Sequence, residues 1–148
     1  MTKNNAPIGV ADSGIGGISV LKELVRLMPN ENYLYFGDNK NAPYGVKTAE
    51  QVREIMLKNT EYLIGKGIKA LVVACNTATG ASIKALRERY KDFPIIGIEP
   101  AIKPSARYHE HSNVLVMATP LTLKQEKFHD LMDKFSAEAN IIPLPCPG

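Results

Sequence analysis

Several features that identify common protein classes are scarce or missing in this sequence. It holds only two cysteines, Cys75 and Cys146, which lie far apart and form neither a Cys-x-x-Cys pair nor a group with neighbouring histidines. This spacing argues against a zinc site and against the disulfide framework of small secreted domains. We therefore expect two free thiols, as in a reducing cytoplasm, and no metal site.

Long apolar runs are also missing. Residues 1–6 are polar, and the strand-like run that follows them is too short for the apolar core of a signal peptide. No segment approaches the roughly 20 apolar residues of a membrane-spanning helix. The pattern predicts a soluble, cytoplasmic protein without a membrane partner.

Charge of one sign is not concentrated anywhere along the chain. The 18 Lys and Arg residues outnumber the 15 Asp and Glu residues, for a net charge of +3, but they are scattered singly. A nucleic-acid surface would show a basic stripe or interleaved aromatic side chains. We expect a solvated surface of mixed charge and no nucleic-acid partner.

What the sequence does contain is a regular alternation of strand-like and helix-like periods. Its 148 residues, 45% of them hydrophobic, can bury a core without disulfides. The alternation predicts an α/β fold, with a parallel sheet covered by helices on both faces. Six strands are expected to form this sheet, near residues 8–11, 33–36, 70–74, 94–98, 114–118 and 141–142.

Apolar residues at helical spacing predict the helices between these strands. The first helix is expected to end at Pro29 and to bury one face, formed by Ile18, Leu21, Val25 and Met28. The second is expected to begin near Thr48, with a buried face formed by Val52, Ile55, Met56, Tyr62 and Leu63.

Two more helices are predicted further along the chain. One is expected to run from about Thr79 to Tyr90. The other is expected to have Thr119 as its N-cap and Pro120 as its first residue, and to continue without a break through Phe135.

Polar residues collect where the predicted strands end. Such positions form the ligand-binding edge of an open α/β sheet, because the carboxyl ends of parallel strands meet there. Capping of the following helix is the alternative explanation for Asp12, Thr77 and Thr119. The five residues at or just past a strand end are Asp12, Asp38, Cys75, Glu99 and Thr119.

A glycine-rich turn, DSGIGG at residues 12–17, follows the first strand. Ser19 replaces the third glycine of a dinucleotide-binding motif and no Walker lysine follows, so phosphate binding is weakly supported. The turn is better suited to present amide groups, Asp12 and Ser13 to a small anionic ligand at a helix N-terminus. A purely structural tight turn is the alternative.

The stretch CNTAT at residues 75–79 is the most informative part of the sequence. A cysteine between a buried strand and a helix N-terminus lies at the positive end of the helix dipole, which favours its thiolate. Such a thiol can act as an acid or a base. The alternative is a buried cysteine that only fills space, but Asn76, Thr77 and Thr79 suit hydrogen bonding to an amino acid better than they suit a core.

The combination of segments resembles the cofactor-independent glutamate racemases of the aspartate/glutamate racemase family, in their N-terminal portion. Loop 39–42 departs from the family's usual sequence. The matching segments are IGVADSGIGG at 8–17, YFGD at 35–38, PYG at 43–45, VVACNTAT at 72–79 and GIEP at 97–100.

The resemblance implies a set of functional residues. Cys75 would be one of two catalytic thiols, and Thr119 would lie at the rim of the site. No Gly-Cys-Thr-His segment, the family's setting for the second thiol, occurs here. Cys146, in a Pro-Cys-Pro sequence with no strand predicted to end at it, is expected to be structural. The residues expected to contact the substrate are Asp12, Ser13, Tyr44, Gly45, Asn76, Thr77 and Thr119.

The resemblance also implies an architecture of two similar α/β domains with the site between them. Residues 1–98 would belong to the first domain and residues 99–148 to the beginning of a truncated second one. The expected substrate is glutamate, the D-enantiomer would serve bacterial peptidoglycan synthesis, and no cofactor would be used. A homodimer is left open, and the fragment alone is expected to be inactive.

Two other functions remain open on the residues alone. A non-catalytic amino-acid-binding module would leave Cys75 incidental. A cysteine hydrolase would need a histidine base, and the three histidines, His109, His111 and His129, are expected at the surface.

Overall fold

The structure, a computed structural model, describes residues 5–108 and 112–147. The strands are β1 Ile8–Asp12, β2 Tyr33–Gly37, β3 Ala70–Val73, β4 Ile95–Gly97, β5 Ser112–Ala118 and β6 Ala139–Pro145. They form two parallel sheets, one in the order β2-β1-β3-β4 and one made of β5 and β6. The helices are α1 Ile18–Leu27, α2 Ala49–Gly65, α3 Asn76–Arg89, α4 Ile102–Ala106, α5 Pro120–Leu123 and α6 Glu126–Phe135.

The predicted parallel α/β fold is confirmed, but the expectation of one six-stranded sheet is wrong. Each βαβ connection returns the chain in the same direction, so β1 pairs in parallel with both β2 and β3, and β3 with β4. The strands β5 and β6 pair only with each other among the described residues. Sequence periodicity predicts strands, but it does not say which strands share a sheet.

Helices cover both faces of the four-stranded sheet, which explains why β1 is buried along its whole length. On one face Ala11, Leu71 and Val73 pack in a cluster with side chains of α2 and α3. On the other face Val10 and Val72 pack in a cluster with side chains of α1. Burial on both sides is the usual environment of parallel strands and accounts for their continuous apolar sequences.

The predicted apolar face of α1 is only partly correct. Leu21 packs against the sheet as expected, together with Val20 and Leu24. Ile18, Val25 and Met28 are exposed instead, because the helix presents a neighbouring stripe to the strands. The helix ends at Leu27, two residues before Pro29, as the proline predicts.

The start of α2 is predicted correctly. Thr48 is its N-cap and forms a capping box with Gln51, in which each side chain accepts a hydrogen bond from the other residue's amide. Val52, Met56 and Leu63 are buried as expected. Tyr62 was expected on the same face but is 52% exposed, because its ring lies at the edge of the sheet, 5.7 Å from that of Phe36.

The second sheet has its own apolar cluster, formed by Ile102, Ala106, Phe128, Phe135 and Ala139. Helix α4 contributes to it and was not predicted, since it is one turn long and contains a proline. The single helix predicted from Pro120 through Phe135 is two helices, α5 and α6. Gln125, which has an extended backbone conformation, separates them.

Within the described residues, 5–108 and 112–147, no helix combines the length and the apolar composition needed to cross a membrane.

Candidate functional site

The carboxyl ends of β1, β3 and β5 border one cavity of about 510 Å³. Loops after β1 and β3 supply one wall, and the end of β5 with the start of α5 supplies the other. The site therefore lies where the two sheets meet. Its lining includes Asp12, Ser13, Gly14, Ile15, Cys75, Asn76, Thr77, Met117, Thr119 and Thr122.

Cys75 is the N-cap residue of α3 and is 9% exposed. Its Sγ accepts a hydrogen bond from the amide of Ala78 at 3.4 Å and lies 3.6 Å from Ser13 Oγ, to which the thiol can donate. The helix begins at Asn76, three residues before the start predicted at Thr79. The thiol is therefore at the helix N-terminus itself, where the dipole favours a negative charge.

The carboxylate of Asp12 fixes the turn that follows β1. Its Oδ2 accepts hydrogen bonds from the amides of Gly14 and Gly17, each at 3.1 Å. A Cβ at Gly17 would lie 2.8 Å from Asp12 Cβ and 3.0 Å from Ala74 Cβ, so glycine is required there. The turn therefore has the structural role that the sequence analysis gave as the alternative to ligand binding. Asp12 also lines the cavity.

Three threonine hydroxyls form a closed triangle at the junction of the two walls. Thr77 Oγ1 lies 2.9 Å from Thr119 Oγ1 and 2.9 Å from Thr122 Oγ1, and the last two are 3.0 Å apart. Thr119 also caps α5, as predicted, by accepting the amide of Thr122. Thr122 was missed by the sequence analysis, although its position three residues after an N-cap threonine was a usable signal.

Tyr44 and Gly45 lie behind the lining residues. The Tyr44 side chain is 2% exposed, and its hydroxyl donates to Asp38 Oδ2 at 2.7 Å, away from the cavity. Gly45 touches the lining from outside, since a Cβ there would lie 2.7 Å from Thr119 Cβ. Neither residue is among those that line the cavity.

Asp38 is buried and accepts hydrogen bonds from several side chains. Burial alone would raise its pKa, but the hydrogen bonds from Asn59, Tyr44 and Asn41 outweigh it and hold the pKa below the usual value of 3.8. Burial and the neighbouring Asp38 carboxylate raise the pKa of Tyr44 far above its usual range. Asp38 is therefore an ionised acceptor and Tyr44 a permanent donor.

The remaining polar candidates lie outside the cavity. Glu99 forms a surface ion pair with Lys127, its carboxylate 3.1 Å from the Lys127 Nζ. His129 is exposed on α6, while His109 and His111 fall outside the described residues.

The expectation that no strand ends at Cys146 is wrong, because β6 ends directly before it and its amide donates to Ala118 O at 2.8 Å. The sequence analysis placed this strand only near residues 141–142, because Pro143 and Pro145 argue against its continuation. Cys146 nevertheless does not line the cavity.

The part of the chain that the structure describes contains no group of three or more His, Cys, Asp and Glu side chains placed to hold a metal ion.

Comparison with known proteins relates the chain to one family of enzymes, although no protein-family model matches it. It is 59% identical to the glutamate racemase of Clostridium perfringens over 144 residues, which are 97% of this chain and 55% of the relative. It is 57% identical to the glutamate racemase of Clostridium botulinum over 146 residues, which are 99% of this chain and 57% of the relative.

Solved structures agree with the sequence comparison. The fold matches Escherichia coli glutamate racemase in complex with L-glutamate and the activator UDP-MurNAc-Ala, with a TM-score of 0.85, 38% identity, and coverage of 95% of this chain and 53% of the other. It matches Francisella tularensis glutamate racemase in complex with D-glutamate with a TM-score of 0.82, 30% identity, and coverage of 97% and 54%. Over nearly its whole length this chain is related to the glutamate racemases, and it spans about half the length of the relatives it matches.

Proposed function

We propose that this chain supplies one face of the active site of a glutamate racemase, with Cys75 as the acid/base group of that face. The position of the thiol carries the proposal: Cys75 caps α3 at the wall of a cavity that Asp12, Ser13, Asn76 and threonine side chains also line, at the carboxyl edge of a parallel sheet. The racemases of similar fold were solved with D-glutamate and with L-glutamate, which supports glutamate as the substrate.

Inversion of an α-carbon removes a proton from one face and adds a proton to the other. In one direction the Cys75 thiolate accepts the α-proton, and the electron pair of the broken C–H bond is delocalised towards the carboxylate. A second acid then protonates the opposite face, and the roles exchange in the reverse direction. The two groups must each serve as acid and base, which thiols can do near neutral pH without an added cofactor.

The residues around Cys75 suit the two charged groups on the α-carbon. The first amides of a helix lack intrahelical acceptors, so those of Asn76 and Thr77 can bind the α-carboxylate together with Ser13. Asn76 lines the cavity, and an asparagine side-chain amide can accept a hydrogen bond from the α-ammonium group through its oxygen. These contacts would hold the α-proton towards Sγ and stabilise the carbanion-like transition state.

The wider role is proposed from the resemblance to the glutamate racemase family. D-glutamate is proposed to serve peptidoglycan synthesis in the cytoplasm, and the second thiol to come from a Gly-Cys-Thr-His segment that these 148 residues lack. The protein can also act as a homodimer in this proposal, since the net charge of +3 on these 148 residues is too small to keep two copies apart.

The test is racemisation by the protein expressed from its native reading frame. With L-glutamate in deuterium oxide, circular dichroism follows inversion and NMR follows loss of the α-proton. We expect Cys75→Ala to abolish both, because the base of one face is removed, and to leave the far-ultraviolet spectrum unchanged.

Cys146→Ala is the matched control, since it removes the other thiol of the chain and lies outside the cavity. It should retain wild-type turnover. If Cys75→Ala kept more than about a tenth of the activity, a loss of under about 1.4 kcal/mol in transition-state stabilisation, the role assigned to this thiol would be wrong.

A further inference from the structure

A buried polar cluster lies directly behind the cavity, between the loop after β2 and helix α2. Asp38 is 5% exposed, and its carboxylate accepts three side-chain donors. The hydroxyl of Tyr44 donates at 2.7 Å, Asn59 Nδ2 at 3.0 Å, and Asn41 Nδ2 at 2.9 Å to each oxygen. The Asp38 backbone carbonyl also accepts the amides of Asn41 and Ala42 at 3.2 Å.

Asn59 links this cluster to the rigid part of the fold. Its Nδ2 lies 3.0 Å from Asp38 Oδ2 and 3.3 Å from the Tyr44 hydroxyl, so one amide group serves both partners. It projects from the middle of α2, which is anchored to the core by the buried Val52 and Met56. Asparagine is an unfavourable residue in a helix interior, so this contact opposes the intrinsic preference of the position.

The cluster reaches the cavity through one short segment. Tyr44 begins a 3-10 turn, Tyr44–Val46, that is closed by the amide of Lys47 on Tyr44 O. The next residue, Gly45, is packed so closely against Thr119 that a Cβ would lie 2.6 Å from Thr119 Cγ2. The turn at residues 44–46 therefore lies directly against Thr119, which lines the cavity and belongs to the threonine triangle.

We propose that Asn59 and Asp38 are positioning residues: through Tyr44 they hold the turn at residues 44–46 against Thr119, and so fix the wall of the proposed glutamate site opposite Cys75. This inference rests on the proposed function for its substrate, but the positioning of the turn is independent of it. Neither residue lines the cavity, so neither is assigned contact with the reacting atoms.

The test is Asn59→Ala in the protein expressed from its native reading frame. The substitution should free the turn at residues 44–46, and with it Thr119, while Cys75 is unchanged. KM for glutamate should therefore rise about tenfold, and kcat should stay within about threefold of the wild-type value. The rate of Cys75 alkylation by iodoacetamide should not change. Hydrogen exchange at the amides of Ala42 and Lys47, which close the loop and the turn, should accelerate by at least about tenfold.

Met56→Ala is the matched control, because it removes a buried side chain from the same helix and leaves the hydrogen bonds between Asn59, Asp38 and Tyr44 in place. It should lower the midpoint of urea unfolding and leave KM unchanged. Tyr44→Phe should reproduce the rise in KM, and the Asn59→Ala/Tyr44→Phe double variant should show less than the product of the two effects, since both side chains act through Asp38.

The outcomes separate the two proposals. A wild-type protein that does not racemise glutamate overturns the proposed function, and the exchange rates at Ala42 and Lys47 still decide whether Asn59 holds the turn. An active wild type whose KM is unaffected by Asn59→Ala overturns the positioning role and leaves the function standing. Unchanged exchange in Asn59→Ala overturns it as well.

Discussion

At the scale of single residues, the contact between Gly45 and Thr119 leaves no room for a side chain. We expect Gly45→Ala to destabilise the fold by about 1–3 kcal/mol, the usual cost of overpacking, and to weaken glutamate binding, because Thr119 must move. Urea unfolding and KM measure the two effects.

The same substitution at Gly65 is the control. This glycine ends α2 and would place its new Cβ in open space. Gly65→Ala should therefore be neutral or slightly stabilising, by up to about 1 kcal/mol. A Gly45→Ala protein that behaved like Gly65→Ala would contradict the tight contact with Thr119.

The hydrogen bonds to Asp38 predict how stability depends on pH. Its pKa is lowered in the folded state, so the unfolded chain takes up the proton first as the pH falls. The stabilisation is present at pH values above 3.8 and is lost as the pH falls through the lower, folded-state pKa. Asp38→Asn should be less stable than wild type at pH 6, and the difference should shrink towards pH 3 in urea titrations.

Much of the candidate site could be predicted at this scale because it depends on local position. Asp12, Ser13, Cys75 and Asn76 follow central strands, and the ends of parallel strands converge whatever the rest of the chain does. Asn59 could not be predicted, because it sits within a helix and matters only through contacts across the fold. The buried orientation of the Tyr44 ring was invisible for the same reason.

At the scale of elements, Gln125 ties α6 to α3. Its Nε2 donates to Thr77 O at 3.1 Å, and a Cβ at Gly80 would overlap its Oε1. Gly80→Ala should displace the Gln125 side chain and break this bond, at a cost of about 1 kcal/mol after any gain in helix propensity. Gln125→Ala should cost a similar amount in urea unfolding.

The double variant tests this explanation. Once Gln125 is shortened, the new methyl group at residue 80 has nothing to displace, so Gly80→Ala should become neutral or stabilising in that background. Additive losses from the two substitutions would show that they act independently.

The elements that the sequence predicted well are those with a strong periodic signal and a clear cap, such as α2 with its Thr48 capping box. The predictions failed where tertiary contacts override that signal. Gln125 interrupts a continuous amphipathic pattern, and its side chain is held by α3. The strand predicted near residues 141–142 continues through Pro143 and Pro145, whose backbone still pairs with β5.

At the scale of the whole molecule, the two-stranded sheet has a bare apolar face. Leu115 pairs with Ile142 and Met117 with Leu144, and all four side chains are exposed on one side. Parallel strands normally have both faces covered, and exposed apolar patches favour association. We expect the 148-residue chain, expressed by itself, to self-associate in sedimentation velocity experiments.

Substitution on that face should reverse the association. The Leu115→Thr/Ile142→Thr double variant should sediment as a smaller species than wild type at the same concentration. Ile18→Thr, which replaces an exposed isoleucine on α1, is the control and should leave the distribution unchanged. If the double variant sedimented like the wild type, the exposed face of β5 and β6 would not be the surface of association.

The same 148-residue chain should also separate proton removal from inversion. In the proposed mechanism Cys75 takes a proton from one face of glutamate, but among the residues that the structure describes no second thiol lines the cavity to protonate the other face. A site open on that side also leaves the α-carbon in water, which weakens the interactions that stabilise its negative charge. In deuterium oxide we expect slow loss of the α-proton signal by NMR, dependent on Cys75, and no D-glutamate at an enzyme-like rate. Formation of D-glutamate at such a rate would contradict the two-thiol mechanism for this chain, and its loss in Cys146→Ala would then identify Cys146 as the second acid/base group.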